Sequence, residues 1–176
     1  MLERYLKLYL STAVVAALML VHAGTHAQSA TPQTYPKITG YVGIMHPLVT
    51  FSSTGTETNF SNHYVVGMPT GINLWKSSRI GFSAEFVPFI RAEHGTSKMS
   101  NFLFHPGVLV ALGKGYTFIG RAAFETSGRY GLTPILNKTI IKSKSCNYYA
   151  AVPLPLRFGN DRPTTFAIAF QFGVAF

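Results

Sequence analysis

The sequence predicts an all-β protein: an eight-stranded, antiparallel, up-and-down transmembrane β-barrel preceded by a cleavable signal peptide. Three observations carry this prediction: a secretory-type N-terminus, segments of alternating character after residue 28, and an aromatic last strand that ends at Phe176. No long stretch after residue 28 has the i, i+3, i+4 spacing of an amphipathic helix. The predicted organisation is a signal peptide at 1–27, a short linker at 28–36 and a barrel at 37–176.

The N-terminal segment has the layout of a secretory signal. Arg4 and Lys7 precede an uncharged apolar run from Leu10 to Val21, and small residues before Gln28 form a cleavage site. The run is shorter than the ~20 residues that a membrane-spanning helix needs. We therefore expect cleavage and export, with an uncleaved anchor as the weaker alternative.

The last eleven residues alternate between large apolar side chains and small or polar ones. The large residues occupy every second position: Phe166, Ile168, Phe170, Phe172, Val174 and Phe176. Successive side chains of a strand point to opposite faces, so these six share one face. A face this apolar, with nothing bulky opposite it, is typical of a wall between lipid and a crowded lumen.

A final strand of this kind resembles the insertion signal of Gram-negative outer-membrane barrels, with Phe166, Phe170, Phe172 and Phe176 as its aromatic positions. In length and pattern, the chain after residue 28 resembles their small eight-stranded members, the OmpX and OmpW type. The resemblance implies a location in the outer membrane of a Gram-negative bacterium and insertion by the barrel assembly machinery. It also implies contact with outer-membrane lipid and lipopolysaccharide, and a monomeric state.

Further segments of the chain repeat the alternation. With the last strand they make seven, at 38–48, 64–74, 79–91, 102–112, 116–126, 148–158 and 166–176. A single-chain bacterial barrel has an even number of strands. We predict the eighth at Tyr130–Ile141. The alternative is a long loop from Ser127 to Asn147, which leaves an odd sheet that cannot close.

The predicted topology places both termini and three short turns on the periplasmic side. The longer connections, Ser52–Asn62 and Ala92–Ser100, become outer loops. Trp75, Tyr116 and Tyr148 then fall at the periplasmic boundary, where amphipathic rings favour the membrane interface.

Prolines recur inside predicted strands, among them Pro69, Pro88, Pro106, Pro134, Pro153 and Pro155. A closed barrel has no free edge, so each proline removes a hydrogen bond of the sheet. Most stand near the outer rim, and we expect pairing to loosen or bulge there. Regular pairing through Pro88 and Pro106 would contradict this expectation.

In the stronger predicted strands every charge falls on the inward face. These charges are Arg79, Glu85, Arg91, His105, Arg121, Glu125 and Arg157. An eight-stranded barrel is only wide enough for its side chains to fill, and charges enclosed there must pair. Two glutamates among four arginines therefore predict a salt-bridge network that plugs the lumen. A narrow polar conduit is the alternative.

These features favour a structural or surface-interaction role, with a small passive, porin-like channel as the alternative. Resembling barrels that act on lipid A use a His, a Ser and a carboxylate, but this chain has no His-x-Ser pair in a strand. We therefore predict no enzyme, although cross-strand partners stay open. A soluble lipocalin-like carrier is a further alternative, and it requires apolar residues inside.

Other functional classes find little support. His46, His63, His94 and His105 lie on separate segments without a ligand pair, so we predict no metal and no cofactor. The formal net charge is +9, but the charges are dispersed along an exported chain, and we predict no nucleic-acid partner. Cys146 is the single cysteine and cannot form an intramolecular disulfide.

Overall fold

The structure is a computed structural model that describes residues 34–176. The predicted signal peptide at 1–27 and most of the linker at 28–36 lie outside the described residues. Eleven strands form the described chain: β1 Lys37–Ser52, β2 Gly55–Thr58, β3 Tyr64–Gly67, β4 Thr70–Trp75, β5 Ile80–Glu93, β6 Thr96–Gly113, β7 Tyr116–Glu125, β8 Tyr130–Lys142, β9 Asn147–Pro153, β10 Leu156–Phe158 and β11 Thr165–Ala175. No helix within this range is long and apolar enough to cross a membrane.

The strands close into one ring with eight strand positions, and we call each position a stave, whether one strand or two consecutive strands occupy it. β3 and β4 together form the second stave, β9 and β10 form the seventh, and β2 pairs only with β1. Neighbouring staves are antiparallel in chain order, and β11 returns to pair with β1. The prediction of an eight-stranded, antiparallel, up-and-down barrel is therefore confirmed. So is the strand predicted at Tyr130–Ile141, which is β8.

The two ends of the barrel differ. The terminal end holds both ends of the described chain and the short turns β4–β5, β6–β7 and β8–β9. The loop end holds the connections β1–β2, β2–β3, β5–β6, β7–β8 and β10–β11. The β5–β6 connection was expected to be a loop at Ala92–Ser100. It is instead a continued hairpin that turns at His94 and Gly95, both with positive φ, as a tight two-residue hairpin requires.

The alternation of the sequence separates the two faces of the wall. On β5, Phe82 and Phe86 are about half exposed, whereas Glu85 and Val87 between and beyond them are buried. On β11, Ala169 is buried and Phe172 faces outward. The same parity holds around the ring, so the outside is apolar and the inside holds the buried residues.

The buried interior forms two apolar clusters. The cluster nearer the terminal end contains Tyr41, Leu109, Ile119, Ile135, Tyr149 and Ala151. The cluster nearer the loop end contains Met45, Val87, Leu103, Ala123 and Ala169. Gly71 makes room for the first cluster, because a Cβ at this position would collide with the Tyr41 hydroxyl. A layer of polar residues lies between the clusters.

The expectation that pairing breaks at the strand prolines is wrong for the β5–β6 ladder. Its register runs unbroken through the pairs Ala84–Pro106 and Pro88–Phe102. Each residue of an antiparallel ladder directs its N–H and C=O to one neighbour, so a proline disturbs only one of its two ladders. Register shifts do occur nearby, between Phe89 and Ile90.

The interruption falls on the other side of Pro88. There β5 pairs with β4 up to Thr70–Phe86 and resumes with β3 at Gly67–Phe89, in the same register. The gap between β3 and β4 therefore splits a stave without shifting it. The pair β9 and β10 is divided in the same way, and its register to β8 is also preserved.

Candidate functional site in the lumen

A buried carboxylate, Glu85 on β5, is the centre of the polar layer. Its Oε2 accepts a hydrogen bond from the Tyr41 hydroxyl at 2.9 Å. Its Oε1 lies 2.5 Å from Nη1 of Arg121 and 3.0 Å from Nδ1 of His105. Glu85, His105 and Arg121 are each at most 3% exposed. Three other staves therefore hold this carboxylate inside the ring.

Arg121 on β7 extends the contacts across the lumen. Its Nη2 donates to the Tyr41 hydroxyl at 2.9 Å and to the Ser83 hydroxyl at 3.0 Å. The guanidinium also lies 5.7 Å from the centre of the Tyr41 ring. Its Nε is buried without a hydrogen-bond partner among the described residues.

A second group of residues continues the network towards the loop end. Thr133 Oγ1 lies 2.9 Å from His105 Nε2 and accepts a hydrogen bond from Arg157 Nη1 at 2.9 Å. Arg157 Nε donates to Glu125 Oε1 at 2.7 Å. The other oxygen of Glu125 accepts from Asn101 at 2.6 Å and from Ser127. One chain of contacts thus runs from the middle of the lumen to the loop end.

The charges of this network balance. Glu85 is paired with Arg121, and Glu125 is paired with Arg157. Removing ions from water is expensive, and only close pairing with additional hydrogen bonds offsets the penalty. We therefore interpret the layer as two compensated ion pairs, linked through the hydroxyl of Thr133 and the imidazole of His105.

Two of the seven charges predicted for the lumen lie elsewhere. Arg79 is exposed, because it precedes β5 in a turn at the terminal end. Arg91 is half exposed, and its Nε lies 2.9 Å from Glu93 on the same strand. It follows the register shift between Phe89 and Ile90, beyond the enclosed lumen. The alternation correctly assigned both residues to the inward-facing positions of their strand. It did not show how far along the barrel axis they lie, and that distance decides whether they are enclosed.

One of the three predicted interfacial aromatics is also placed differently. Tyr148 is half exposed on the outer face, and the ring of Tyr116 lies 3.9 Å from Lys138 Nζ. Trp75 instead packs against the buried cluster at the terminal end. Trp75 lies four positions after Gly71 on β4 and therefore shares its inward face, whereas Ile72 lies on the outward face. This spacing is visible in the sequence.

The four positions of the predicted insertion signal lie on the outer face. Phe166, Phe170, Phe172 and Phe176 are between 39% and 63% exposed, whereas the residues between them are smaller. Phe176 is also held by backbone hydrogen bonds in both directions with Gly40. The end of the chain is therefore part of the closed ring.

Aromatic residues also lie side by side on the outer face towards the loop end, a feature that the sequence reasoning missed. Register pairs place Phe86 beside Phe104, Phe104 beside Phe124, and Phe124 beside Tyr130. Phe158 pairs with Tyr130, and Phe51 pairs with Phe166. Seven of the eight staves therefore contribute to a set that we call the loop-end girdle: Phe51, Phe86, Phe104, Phe124, Tyr130, Phe158 and Phe166. Adjacent ring centres lie 5.2 Å apart at Phe86–Phe104 and 6.5 Å apart at Phe104–Phe124.

Two cavities formed by the described residues have no lining residue in common. The loop-end cavity measures about 390 Å³ and is lined by Glu125, Arg157, Thr133 and residues nearer the loop end. The terminal-end cavity measures about 190 Å³ and is lined by Trp75, amide side chains and residues of the apolar cluster nearer the terminal end. The polar network lies between the two cavities.

The contacts of His105 place a hydroxyl, an imidazole and a carboxylate in a row, as in nucleophilic catalysis. Here the hydroxyl belongs to Thr133, which is 1% exposed and already accepts a hydrogen bond from Arg157. Glu85 is likewise bound by Arg121 and Tyr41. Each group is therefore occupied by structural partners. No cluster of three His, Cys, Asp or Glu side chains suited to a metal occurs between residues 34 and 176.

Comparisons with known proteins give fold-level similarities. No protein-family model matches the chain, and no curated protein matches it. The barrel is similar to the solution NMR structure of the de novo designed TMB2.3, with a TM-score of 0.43 and 10% identity over 80% of this chain and 93% of that one. It is similar to a structure described as "De novo design of transmembrane beta-barrels", with a TM-score of 0.43 and 12% identity over 81% of this chain and 99% of that one. At such identities these similarities assign no function.

Proposed function

We propose that this protein is an integral outer-membrane β-barrel with a plugged lumen and a structural or surface-interaction role. The observation that carries the proposal is the division of its wall. Large apolar side chains cover the outside, among them Phe82, Phe118 and Phe172, while the ion pairs are enclosed. Lipid is the environment in which such a wall is stable, because it leaves no apolar face in water.

The aromatic residues support this placement. On β7, Tyr116 at the terminal end and Phe124 in the loop-end girdle are eight residues apart. At about 3.3 Å per residue and a tilt near 40°, this separation corresponds to ~20 Å of height. The outer apolar band of transmembrane barrels is about 25 Å tall and is flanked by aromatic girdles. The two heights agree.

The finer assignment rests on the resemblance described for the last strand. We propose that the chain is of the OmpX and OmpW type, exported through a cleaved signal peptide to the outer membrane of a Gram-negative bacterium. We propose insertion by the barrel assembly machinery as a monomer that contacts lipopolysaccharide. The outward placement of Phe176 at the closing stave supports this proposal.

A pair of substitutions on β6 tests the membrane placement. Val108 lies on the outer face opposite Gly120, at a height between those of Tyr116 and Phe124 on β7. Met99 is an exposed apolar residue on the β5–β6 hairpin. Val108→Arg should lower the free energy of unfolding in vesicles by about 2–4 kcal/mol, the cost of a cation in the middle of the bilayer. Met99→Arg, the matched control, should change it by no more than about 0.5 kcal/mol. Equal effects of the two substitutions would contradict the proposal, as would full solubility without detergent.

Planar-bilayer recordings test the plug. The network between the two cavities predicts no steady conductance for the native protein. Simultaneous replacement of Arg121 and Arg157 by Ala should open a measurable path, because these two side chains cross the lumen. A steady current through the native barrel would favour the passive channel instead.

We propose no catalytic activity for the lumen, because the Thr133–His105–Glu85 row is occupied by Arg157 and Arg121. Lipid A extracted from cells with and without the protein should have the same acyl pattern. A pattern that changes with the native protein but not with His105→Gln would revive the enzyme hypothesis.

A further inference from the structure

The terminal-end cavity has a composition that the proposed plug does not explain. Trp75, which interfacial chemistry would place against lipid, packs inward beside Tyr41 and Tyr149. Amide side chains line the same cavity, and Asn73 is the one on which the argument below depends. Packing alone would be served by aliphatic residues, so this mixture indicates a binding site.

Two buried polar atoms of this cavity lack partners. Oδ1 of Asn73 and Nε of Arg121 are both inaccessible and without a hydrogen bond among residues 34–176. Arg121 is 3% exposed and lines the cavity. Buried polar groups in folded proteins almost always have a partner, so each atom gains one when its side chain turns towards a ligand in the cavity. One is an acceptor and the other a donor, which a single hydroxyl-bearing molecule satisfies together.

The lining also defines the charge of the ligand. Within the described chain, no Asp or Glu lines this cavity. The charge of Arg121 is balanced by Glu85, and Lys37 is exposed at the mouth. A neutral molecule therefore fits the interior better than a cation or a strong anion. Amide side chains both donate and accept, as do hydroxyl groups, and aromatic rings offer apolar faces to C–H groups.

The volume limits the size of the ligand. The cavity measures about 190 Å³, and a cavity of about 150 Å³ holds one benzene molecule. One six-membered ring with substituents is thus the largest rigid body that enters. We infer that the terminal-end cavity binds a neutral polyhydroxylated ring of monosaccharide size, free or at the end of a glycan, with Trp75 as its aromatic contact.

Trp75 is the only tryptophan of the chain, so its fluorescence reports on this cavity alone. Detergent-solubilised full-length protein is titrated with D-glucose and with N-acetylglucosamine, and in parallel with acetate and cyclohexanol. At least one of the sugars should shift the emission in a saturable way in the millimolar range. Acetate should not, and cyclohexanol, which has a single hydroxyl group, should bind more weakly than that sugar. Sugars without effect, or a response only to acetate or cyclohexanol, would overturn the inference.

A variant separates ligand binding from folding. Asn73→Leu removes the unpartnered acceptor, so it should leave the heat-modified gel shift of the folded barrel intact or strengthen it. It should raise the dissociation constant of the sugar about tenfold, as expected for one buried hydrogen bond. Thr50→Val, in the loop-end cavity, is the matched control and should leave the titration unchanged. An unchanged titration with Asn73→Leu shows that the sugar binds elsewhere and overturns the inference. The result is independent of the membrane assignment, because it concerns the interior alone.

Discussion

Two arginine–glutamate pairs of the same barrel have different environments. The Arg121–Glu85 pair joins β7 to β5 across the lumen, and its side chains are 2% and 3% exposed. The Arg91–Glu93 pair lies two residues apart on β5, and its side chains are 34% and 36% exposed. All four residues occupy inward-facing positions in the alternation of their strands. The comparison shows that parity decides the face, whereas height along the stave decides whether a charge is buried.

The energetic consequence is also different. A buried ion depends on its partner, because its water has been removed and only the opposite charge and hydrogen bonds replace it. An ion at the exposed rim keeps much of its water and is screened by salt, so its partner contributes little. Three substitutions test this difference.

The largest effect is expected for Arg121→Leu. This change leaves the Glu85 carboxylate buried without its ion-pair partner and also removes donors to Tyr41 and Ser83. We expect the free energy of unfolding to fall by about 3–5 kcal/mol, measured by urea titration in lipid vesicles. A loss below about 1 kcal/mol would mean that water enters the network and that the pair is not enclosed.

A smaller effect is expected when both partners are removed. Glu85→Leu with Arg121→Leu replaces the ion pair by two apolar side chains and leaves no unpaired charge. The remaining cost comes from Tyr41 and His105, which lose partners, and should be about 1–2 kcal/mol. The double variant should thus be more stable than Arg121→Leu alone. Additive losses in the double-mutant cycle would contradict a direct coupling.

The smallest effect is expected for Arg91→Ala at the loop-end rim. The midpoint of urea unfolding should stay within the error of the measurement, and any difference should vanish as salt rises. A large loss that persists at high salt would place this pair in the same class as Arg121–Glu85 and remove the distinction between the two heights.

Much of the architecture follows from local patterns. The period of two predicts the strands, including β8, and it assigns Glu85, His105 and Arg121 to the interior, where the structure places them. The same alternation also places Trp75 on the inward face, together with Gly71. The interfacial assignment of Trp75 followed amphipathic character instead of parity, whereas the structure packs Trp75 against the buried cluster.

Other features depend on the stagger of staves around the ring, which no local pattern contains. Tyr41 and Glu85 are 44 positions apart, and their contact requires the register of β1, β4 and β5 together. The loop-end girdle likewise needs every ladder to be aligned before separate phenylalanines become one row. The exposure of Arg79 depends on where β5 begins, which its turn decides.

The strand prolines have a consequence for the chain before it folds. Every stave except β7 and β11 carries or is divided by one, and these two staves are not neighbours. Six of the eight staves therefore have a proline that lacks a backbone donor, including Pro47 on β1. Amyloid-like stacking requires long uninterrupted rows of donors in identical segments, and proline interrupts them. The same residues that the closed ring tolerates on one side thus protect the unfolded polypeptide from aggregation before it assembles.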